Sequence, residues 1–192
     1  MTLVMAVDPG PQQSAYVTVR PHPNAIGGLQ IVEFAILLNE AVLADIRGFA
    51  SLPLEDRRLV IEQIASMGMA VGAETFETCV WTGRFMEVFE AGSQSTAHRI
   101  PRVPIKVHLC GTAKAKDANV RQALIDRFGG SSALRKPKAA KKNRHGVIIV
   151  PEIDPGPLAG ISSHCWAALA LACVYVDRME TVLAALAKAG VK

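Results

Sequence analysis

Residues 1–19 read MTLVMAVDPGPQQSAYVTV, and this stretch decides the fold. The apolar run from Leu3 to Val7 predicts a buried strand, and Asp8 follows it directly. A Pro/Gly/Gln turn and a second apolar run come next. Because burying an unpaired carboxylate costs several kcal/mol, Asp8 at the end of a core strand needs a partner. A metal ion is one candidate for that partner.

The rest of the chain alternates between predicted strands and helices. Further strands are expected at 15–20, 29–38, 57–64 and 105–109, and helices at 39–46, 69–90, 117–128 and 163–188. Asn39 is expected to cap the first helix. The apolar residues expected to form one buried face of the second helix are Phe76, Val80, Phe85 and Phe89.

The order of these elements predicts the fold class. Short links between the first three strands predict an antiparallel meander, whereas the later strands alternate with helices and should pair in parallel. The expected fold is therefore α/β, with a mixed five-stranded sheet flanked by helices. One domain over residues 1–192 accommodates it, since 50% hydrophobic residues in 192 suffice for one substantial core.

The cysteines and the lengths of the apolar runs indicate in which cellular compartment the protein is expected. The four cysteines lack metal-ligand spacing and are interpreted as buried free thiols in a reducing compartment. The N-terminal residues show no signal-peptide pattern. The longest apolar run, 165–176, is shorter than the roughly 20 residues that a membrane helix needs. We therefore expect a cytoplasmic protein without a membrane partner.

The positive charge is concentrated in a basic loop, expected at 131–146. The stretch from Arg135 to Arg144 holds six basic residues and no acid, which leaves 15 basic against 17 acidic residues elsewhere. Such clustering favours a polyanion partner, nucleic acid first, although a solvated mobile loop is the alternative. The candidate DNA contacts in this loop are Arg135, Lys136, Lys138, Lys141, Lys142 and Arg144.

A second lone acid, Glu62, lies inside the predicted fourth strand. Taken singly, Asp8 and Glu62 could each face solvent or cap a neighbouring helix. Two acids at or near the strand ends of one sheet favour a shared site. Converging carboxylates repel one another unless a divalent cation neutralises them, and hard oxygen ligands suit Mg²⁺ or Mn²⁺.

An ordered set of motifs resembles a known family. AVDPG (6–10) resembles the first-strand motif of RuvC-like Holliday junction resolvases, of the phage or prophage type, within the ribonuclease H-like superfamily. VIEQI (60–64) resembles their fourth-strand motif, which carries a catalytic Glu. Segments 72–89, 111–129 and 162–172 resemble the helix that follows, the Lys-containing loop with its helix, and the last-helix motif. The resemblance covers most of the chain and implies a ribonuclease H-like fold.

The resemblance also implies site residues. Asp8 and Glu62 would be metal ligands, and His164 would take the first ligand position of the last-helix motif. Ala167 stands where the family often has Asp, which leaves the site one carboxylate short. Asp117 is the best substitute among the catalytic candidates, with N-capping of its helix as an equal alternative. His164 could equally be an ordinary residue at a helix N-terminus.

The activity implied by the resemblance is metal-dependent cleavage of branched DNA by a homodimer. Two Mg²⁺ or Mn²⁺ ions would straddle the scissile phosphate. Lys114 and Lys116 would contact the flanking phosphates.

Two alternatives remain open. The missing acid at Ala167 motivates a structure-selective DNA-binding protein with weak or no catalysis. An actin-like sugar kinase or ATPase also begins with a strand that ends in Asp. That class is disfavoured because it usually needs a longer chain, and because no second phosphate-binding Asp-Gly motif follows the middle strands.

Overall fold

The computed structural model describes residues 2–53, 57–65, 68, 70–137, 141–142, 148–149 and 155–188. The strands in these ranges are β1 (Leu3–Asp8), β2 (Gln13–Pro21), β3 (Leu29–Leu38), β4 (Arg57–Gln63), β5 (His98–Pro101), β6 (Lys141–Lys142) and β7 (Ile148–Ile149). The α-helices are α1 (Asn39–Ala50), α2 (Ala73–Ser93), α3 (Arg102–Cys110), α4 (Asp117–Arg127) and α5 (Cys165–Lys188). Short 3₁₀-helices cover Ile26–Gly28 and Gly130–Leu134.

The main sheet has five strands in the order β3-β2-β1-β4-β5. The β1–β2 and β2–β3 pairs are antiparallel, whereas the β1–β4 and β4–β5 pairs are parallel. The mixed five-stranded sheet flanked by helices that the sequence predicts is therefore confirmed. Val7 lies opposite Ile61 in the parallel pair, so Asp8 and Glu62 emerge at the same edge of the sheet.

Helices cover both faces of the sheet because the side chains of β1 alternate between two apolar clusters. Val4 and Ala6 belong to the cluster that contains α4 and α5. Leu3, Met5 and Val7 belong to the cluster that contains α1 and α2. No helix in the described part of the chain is both long enough and apolar enough to span a membrane.

The fifth strand lies earlier than the sequence pattern suggested. Residues 105–109, expected to be a strand, belong to α3, and β5 precedes them. Ile105 and Leu109 are four residues apart and both contact the α4–α5 cluster, which is the spacing of one helical face. Pro104 is compatible with the helix because it lies in the first turn. The correction makes Arg102 the first residue of a helix that follows β5.

Helix α2 buries only part of its predicted face. Phe85 and Phe89 are fully buried, but Phe76 is 63% exposed and Val80 56% exposed. Nine positions separate Phe76 from Phe85, which is about two and a half helical turns, so these two side chains point in opposite directions. The expectation of buried thiols is also wrong for Cys79, which is exposed on this helix.

An ion-pair cluster joins α5 to α3 and α4. Both carboxylate oxygens of Asp177 accept hydrogen bonds from the Arg127 guanidinium, at 2.7 and 2.8 Å. Nε2 of His108 lies 2.7 Å from the same carboxylate. Burial alone would raise the pKa of Asp177, but the hydrogen bonds of Arg127 and His108 outweigh it and hold the pKa below its usual range.

We expect Asp177→Asn to lower the free energy of unfolding by about 2–4 kcal/mol near neutral pH, because Arg127 loses its counterion in a half-buried position. Since the folded-state pKa of Asp177 is depressed, its stabilisation is present above the usual carboxyl pKa and is lost as the pH falls through the folded value. Urea unfolding from neutral to strongly acidic pH should show the difference between the two proteins shrinking. Asp126→Asn, at an exposed α4 position, is the control. A stability difference between wild type and Asp177→Asn that does not change with pH would contradict the depressed pKa of Asp177.

Candidate active site

The four side chains proposed for catalysis line one cleft at the edge of the sheet. Asp8 ends β1, Glu62 lies near the end of β4, Asp117 begins α4 and His164 directly precedes α5. Together with Arg102 from α3, they line a cavity of about 480 Å³. Residues that are far apart in the chain therefore meet because two strands end and two helices begin at this edge.

The side chain of His164 contacts the carboxylate of Asp8. Nδ1 of His164 lies 3.1 Å from Oδ2 of Asp8. The Asp8 side chain is 17% exposed and that of His164 is 73% exposed. Burial raises the pKa of Asp8, and His164 only partly offsets this. Because Nδ1 faces Asp8, Nε2 is the ring nitrogen left to take a proton or bind a metal.

The backbone just before α5 is strained where it presents His164. Ser163 has a φ of 45°, in the left-handed region that residues other than glycine rarely adopt. Such strain costs on the order of 1–3 kcal/mol and persists only where the surrounding structure enforces it. The strained residue immediately precedes the side chain that contacts Asp8.

Arg102 bridges Glu62 and Asp117. Its Nη1 donates to Oε2 of Glu62 at 2.9 Å, and its Nη2 donates to Oδ1 of Asp117 at 2.8 Å. Burial raises the pKa of Glu62 despite the neighbouring guanidinium. The hydrogen bond from Arg102 is the main reason why the pKa of Asp117 is lowered.

Asp117 does not cap its helix. The N-cap of α4 is Lys116, whose backbone N–H donates to Oδ1 of Asn119 at 2.9 Å. Asp117 is the first residue inside the helix, and its carboxylate pairs with Arg102 and lies 3.9 Å from Nζ of Lys106. The capping alternative is therefore wrong, and the side chain faces the cleft.

The turn after Asp8 is held by two buried polar residues, Ser14 and Asn39. Asn39, expected to cap α1, is instead its first residue, and Leu38 occupies the N-cap. The Asn39 amide donates to the carbonyl of Gly10 at 2.9 Å and accepts from the Ser14 hydroxyl at 2.6 Å. The backbone N–H of Gly10 donates to that hydroxyl at 3.2 Å. These bonds fix the path of the chain directly after the carboxylate of Asp8.

Two larger cavities adjoin the cleft and extend it into a groove. One, of about 600 Å³, lies along the turn at 9–14 and shares Asp8 and His164 with the cleft. The other, of about 710 Å³, lies along α4 and shares Asp117, Ser163 and Trp166 with it. The carboxylates therefore lie in the middle of an extended depression and not in an isolated pocket.

The structure describes some of the basic residues that are proposed to contact DNA. Lys114 and Lys116 are exposed in the loop that leads into α4, next to Asp117. Arg135 and Lys136 are exposed after the second 3₁₀-helix.

Two lysines of the basic loop at 131–146 belong to a strand. Lys141 and Lys142 form β6, which pairs in antiparallel fashion with β7. Lys138 and Arg144 lie outside the described residues.

Comparison with solved structures identifies the fold. The structure of Thermus thermophilus RuvC matches this chain with a TM-score of 0.62 at 14% identity, over 94% of this chain and 98% of that one. T. thermophilus RuvC in complex with a Holliday junction substrate matches with a TM-score of 0.62 at 13% identity, over 94% of this chain and 98% of that one. The chain has the RuvC fold. At the sequence level, no protein family and no curated protein matches it.

The donor chemistry of the cleft suits a divalent cation, because its carboxylates are ligands that Mg²⁺ and Mn²⁺ prefer, and its imidazole suits a transition-metal ion such as Mn²⁺. In the ranges that the structure describes, however, no three His, Cys, Asp or Glu side chains are grouped closely enough to hold an ion together. Asp8 and His164 form one pair, and Arg102 separates Glu62 from Asp117. The residues therefore fit a cation at the Asp8 side, whereas a guanidinium already bridges the other two carboxylates.

Sequence reasoning missed Arg102. It assigned 105–109 to a strand, which left Arg102 in an unremarkable connection. The helical spacing of Ile105 and Leu109 is the signal that would have placed Arg102 at the start of a helix beside β4.

Proposed function

We propose that this chain is a divalent-metal-dependent endonuclease that cleaves branched DNA such as Holliday junctions. The observation that carries the proposal is the meeting of Asp8, Glu62, Asp117 and His164 in one cleft of a RuvC fold. The match to a RuvC complex with a Holliday junction substrate supports the substrate class. The groove on either side of the cleft offers room for a DNA strand.

The side chains of the cleft would divide the reaction between them. Asp8 orients the imidazole of His164 through Nδ1, so that Nε2 can accept a proton from water or bind the metal. A divalent ion bound here would lower the pKa of the attacking water and stabilise the charge on the leaving oxygen. Lys114 and Lys116 would hold the phosphates that flank the cut.

The proposal is tested by cleavage of a labelled four-way junction and a linear duplex of matched sequence. Reactions with Mg²⁺, with Mn²⁺ and with chelator separate metal-dependent cutting from contamination. We expect the junction alone to be cut, and only with metal. Cutting in chelator, or equal cutting of the duplex, would contradict the proposal.

A structure-selective DNA-binding protein is the second candidate function. Ala167 lines the cleft where the family often has an acid, and Arg102 already occupies the space between two carboxylates. Tight binding of the junction with no cutting under either metal would favour this alternative.

We propose that the chain is a phage- or prophage-type resolvase that acts in the cytoplasm, and the basic loop at 131–146 is the reason for proposing the phage type. Its exposed Arg135 and Lys136 would add long-range attraction to DNA without reading sequence. Binding through this loop should weaken steeply as the salt concentration rises.

We further propose that the nuclease acts as a homodimer through α2. Phe76, Cys79 and Val80 are exposed at helical spacing, so one face of α2 carries an apolar stripe. Exposed apolar surface of this kind is typical of an interface. A two-fold dimer would present two equivalent clefts to the two equivalent strands of a four-way junction.

The paired substitution Phe76→Glu and Val80→Glu is expected to convert the dimer to a monomer and to reduce junction cleavage about tenfold or more, because charges replace the apolar contact. Light scattering coupled to gel filtration measures the mass. Val32→Glu, at an exposed position of β3, is the control and should stay dimeric. A monomeric wild-type chain that cuts junctions would refute the dimer.

A further inference from the structure

We propose that Arg102 takes the place of one of the two metal ions that a RuvC-like site implies. The chain would then hold one divalent ion and use a guanidinium as its second fixed positive charge. This inference rests on the proposed metal-dependent cleavage and goes beyond it, because it assigns the composition of the site and a role to a residue outside the family motifs.

The position of Arg102 follows from the sheet register. Glu62 pairs with Ile100 across the parallel β4–β5 ladder, and Pro101 ends β5. Arg102 is therefore two residues beyond the partner of Glu62, and it starts α3 at the same edge of the sheet. The turn from strand to helix delivers its guanidinium to the carboxylate of Glu62.

The contacts of Arg102 are those of a bridging cation. Its two terminal nitrogens each donate to a carboxylate from a different element, Glu62 on β4 and Asp117 on α4. A guanidinium stays charged under all ordinary conditions and matches carboxylates geometrically. Its side chain is only 29% exposed, so it is part of the cleft wall.

The net charge of the cleft lining is better balanced by one divalent ion than by two. Asp8, Glu62 and Asp117 are three carboxylates, and Arg102 is one cation, so the lining carries a net charge of −2 when histidine is counted as neutral. The charge is −1 when Lys106, 3.9 Å from Asp117, is included. One divalent ion offsets either charge to within one unit, whereas two would leave an excess of at least +2. Ala167 fits the same balance, since the chain lacks an acid where an extra cation is already present.

In place of a second metal ion, Arg102 can also bind the scissile phosphate. A guanidinium has five N–H donors, of which two point to Glu62 and Asp117. The others can donate to a phosphate oxygen in the cleft, and Arg–phosphate hydrogen bonds are among the strongest that proteins form. Arg102 would then hold the scissile phosphate beside the ion at Asp8 and His164.

Titration of the full-length chain with Mn²⁺ in the absence of DNA tests the inference. Calorimetry and the electron spin resonance of free Mn²⁺ both give the number of ions bound. We expect about one Mn²⁺ per wild-type chain and about two per Arg102→Gln chain, because Glu62 and Asp117 then need a new counterion. Arg102→Lys keeps the charge and should stay at about one. Arg47→Gln, at an exposed position of α1, removes the same charge elsewhere and should also stay at about one.

The outcomes separate this inference from the proposed function. Two ions in the wild-type chain overturn it, as does a single ion of unchanged affinity in Arg102→Gln. No ion in the wild-type chain overturns it as well. If Arg102→Gln does not fold, as judged by circular dichroism, the wild-type stoichiometry alone decides. One bound Mn²⁺ in a chain that never cuts a junction would support the role of Arg102 and count against the endonuclease.

Discussion

Asp8→Asn is expected to abolish metal-dependent cleavage of a four-way junction, by about 10³-fold or more, while junction binding stays within a few-fold of wild type. Asparagine keeps the shape of the side chain but loses the negative charge that attracts a cation. The asparagine amide also replaces the carboxylate as the partner of Nδ1 of His164, which lies 3.1 Å from Oδ2 of Asp8 in the wild-type chain. Both effects act on the reacting groups, and neither removes a residue proposed to bind DNA.

Single-turnover cleavage and a gel-shift measurement on the same junction separate the two effects. Asp126→Asn is the control, because it removes one carboxylate from an exposed part of α4. Retained cleavage in Asp8→Asn would mean that the catalytic centre lies elsewhere in the groove. Loss of binding together with cleavage would mean that Asp8 supports the shape of the cleft.

The same substitution should stabilise the metal-free chain. Burial raises the pKa of Asp8 above the ordinary value of an aspartate. His164 and Arg102 offset part of this rise, and the charge of Asp117 adds to it. Because the folded-state pKa is raised, the contribution of Asp8 to stability falls as the pH increases from the unfolded to the folded pKa. In chelator near neutral pH, we expect the melting temperature of Asp8→Asn to exceed that of wild type by roughly 2–5 °C. A lower melting temperature would show that the contact with His164 outweighs the cost of burial.

The sequence located Asp8 and Glu62 because their setting is local. Each acid follows or interrupts a continuous apolar strand, and such runs can be recognised without knowledge of the partners. The connections then give the directions of strand pairing correctly, since short links give antiparallel neighbours and helical crossovers give parallel ones, although the fifth strand is His98–Pro101 and not 105–109. The edge of the sheet that carries the cleft is thus encoded in short segments.

The polar contacts that complete the cleft are not local, and the sequence did not reveal them. Arg102 pairs with Glu62 over 40 positions, and Asn39 bonds to Ser14 over 25 positions. Such pairs leave no periodic signal, because each side chain is an ordinary polar residue in its own segment. Asn39 illustrates the point: its residue type predicts a helix cap, but the buried bonds to Ser14 and Gly10 determine its position.

Ala167→Asp is expected to tighten Mn²⁺ binding about tenfold, because affinity for hard cations rises with the number of charged oxygen ligands. Ala167 lies three residues after His164, so the two share one face at the start of α5. It lines the same cleft as Asp8 and Glu62. Junction cleavage at low Mg²⁺ concentration should rise by a similar factor, and the Mn²⁺ titration measures the affinity directly.

The metal-free stability of Ala167→Asp gives an independent check on where the new carboxylate lies. A charge added beside Asp8 and Glu62 repels them, so the melting temperature in chelator should fall by a few degrees and recover when Mn²⁺ is added. Ala41→Asp, at an exposed position of α1, should show neither change. An Ala167→Asp chain with unchanged metal affinity would exclude this end of α5 from the metal site. If wild type binds junctions without cutting them and Ala167→Asp cuts them, the missing carboxylate alone separates the DNA-binding function from the nuclease.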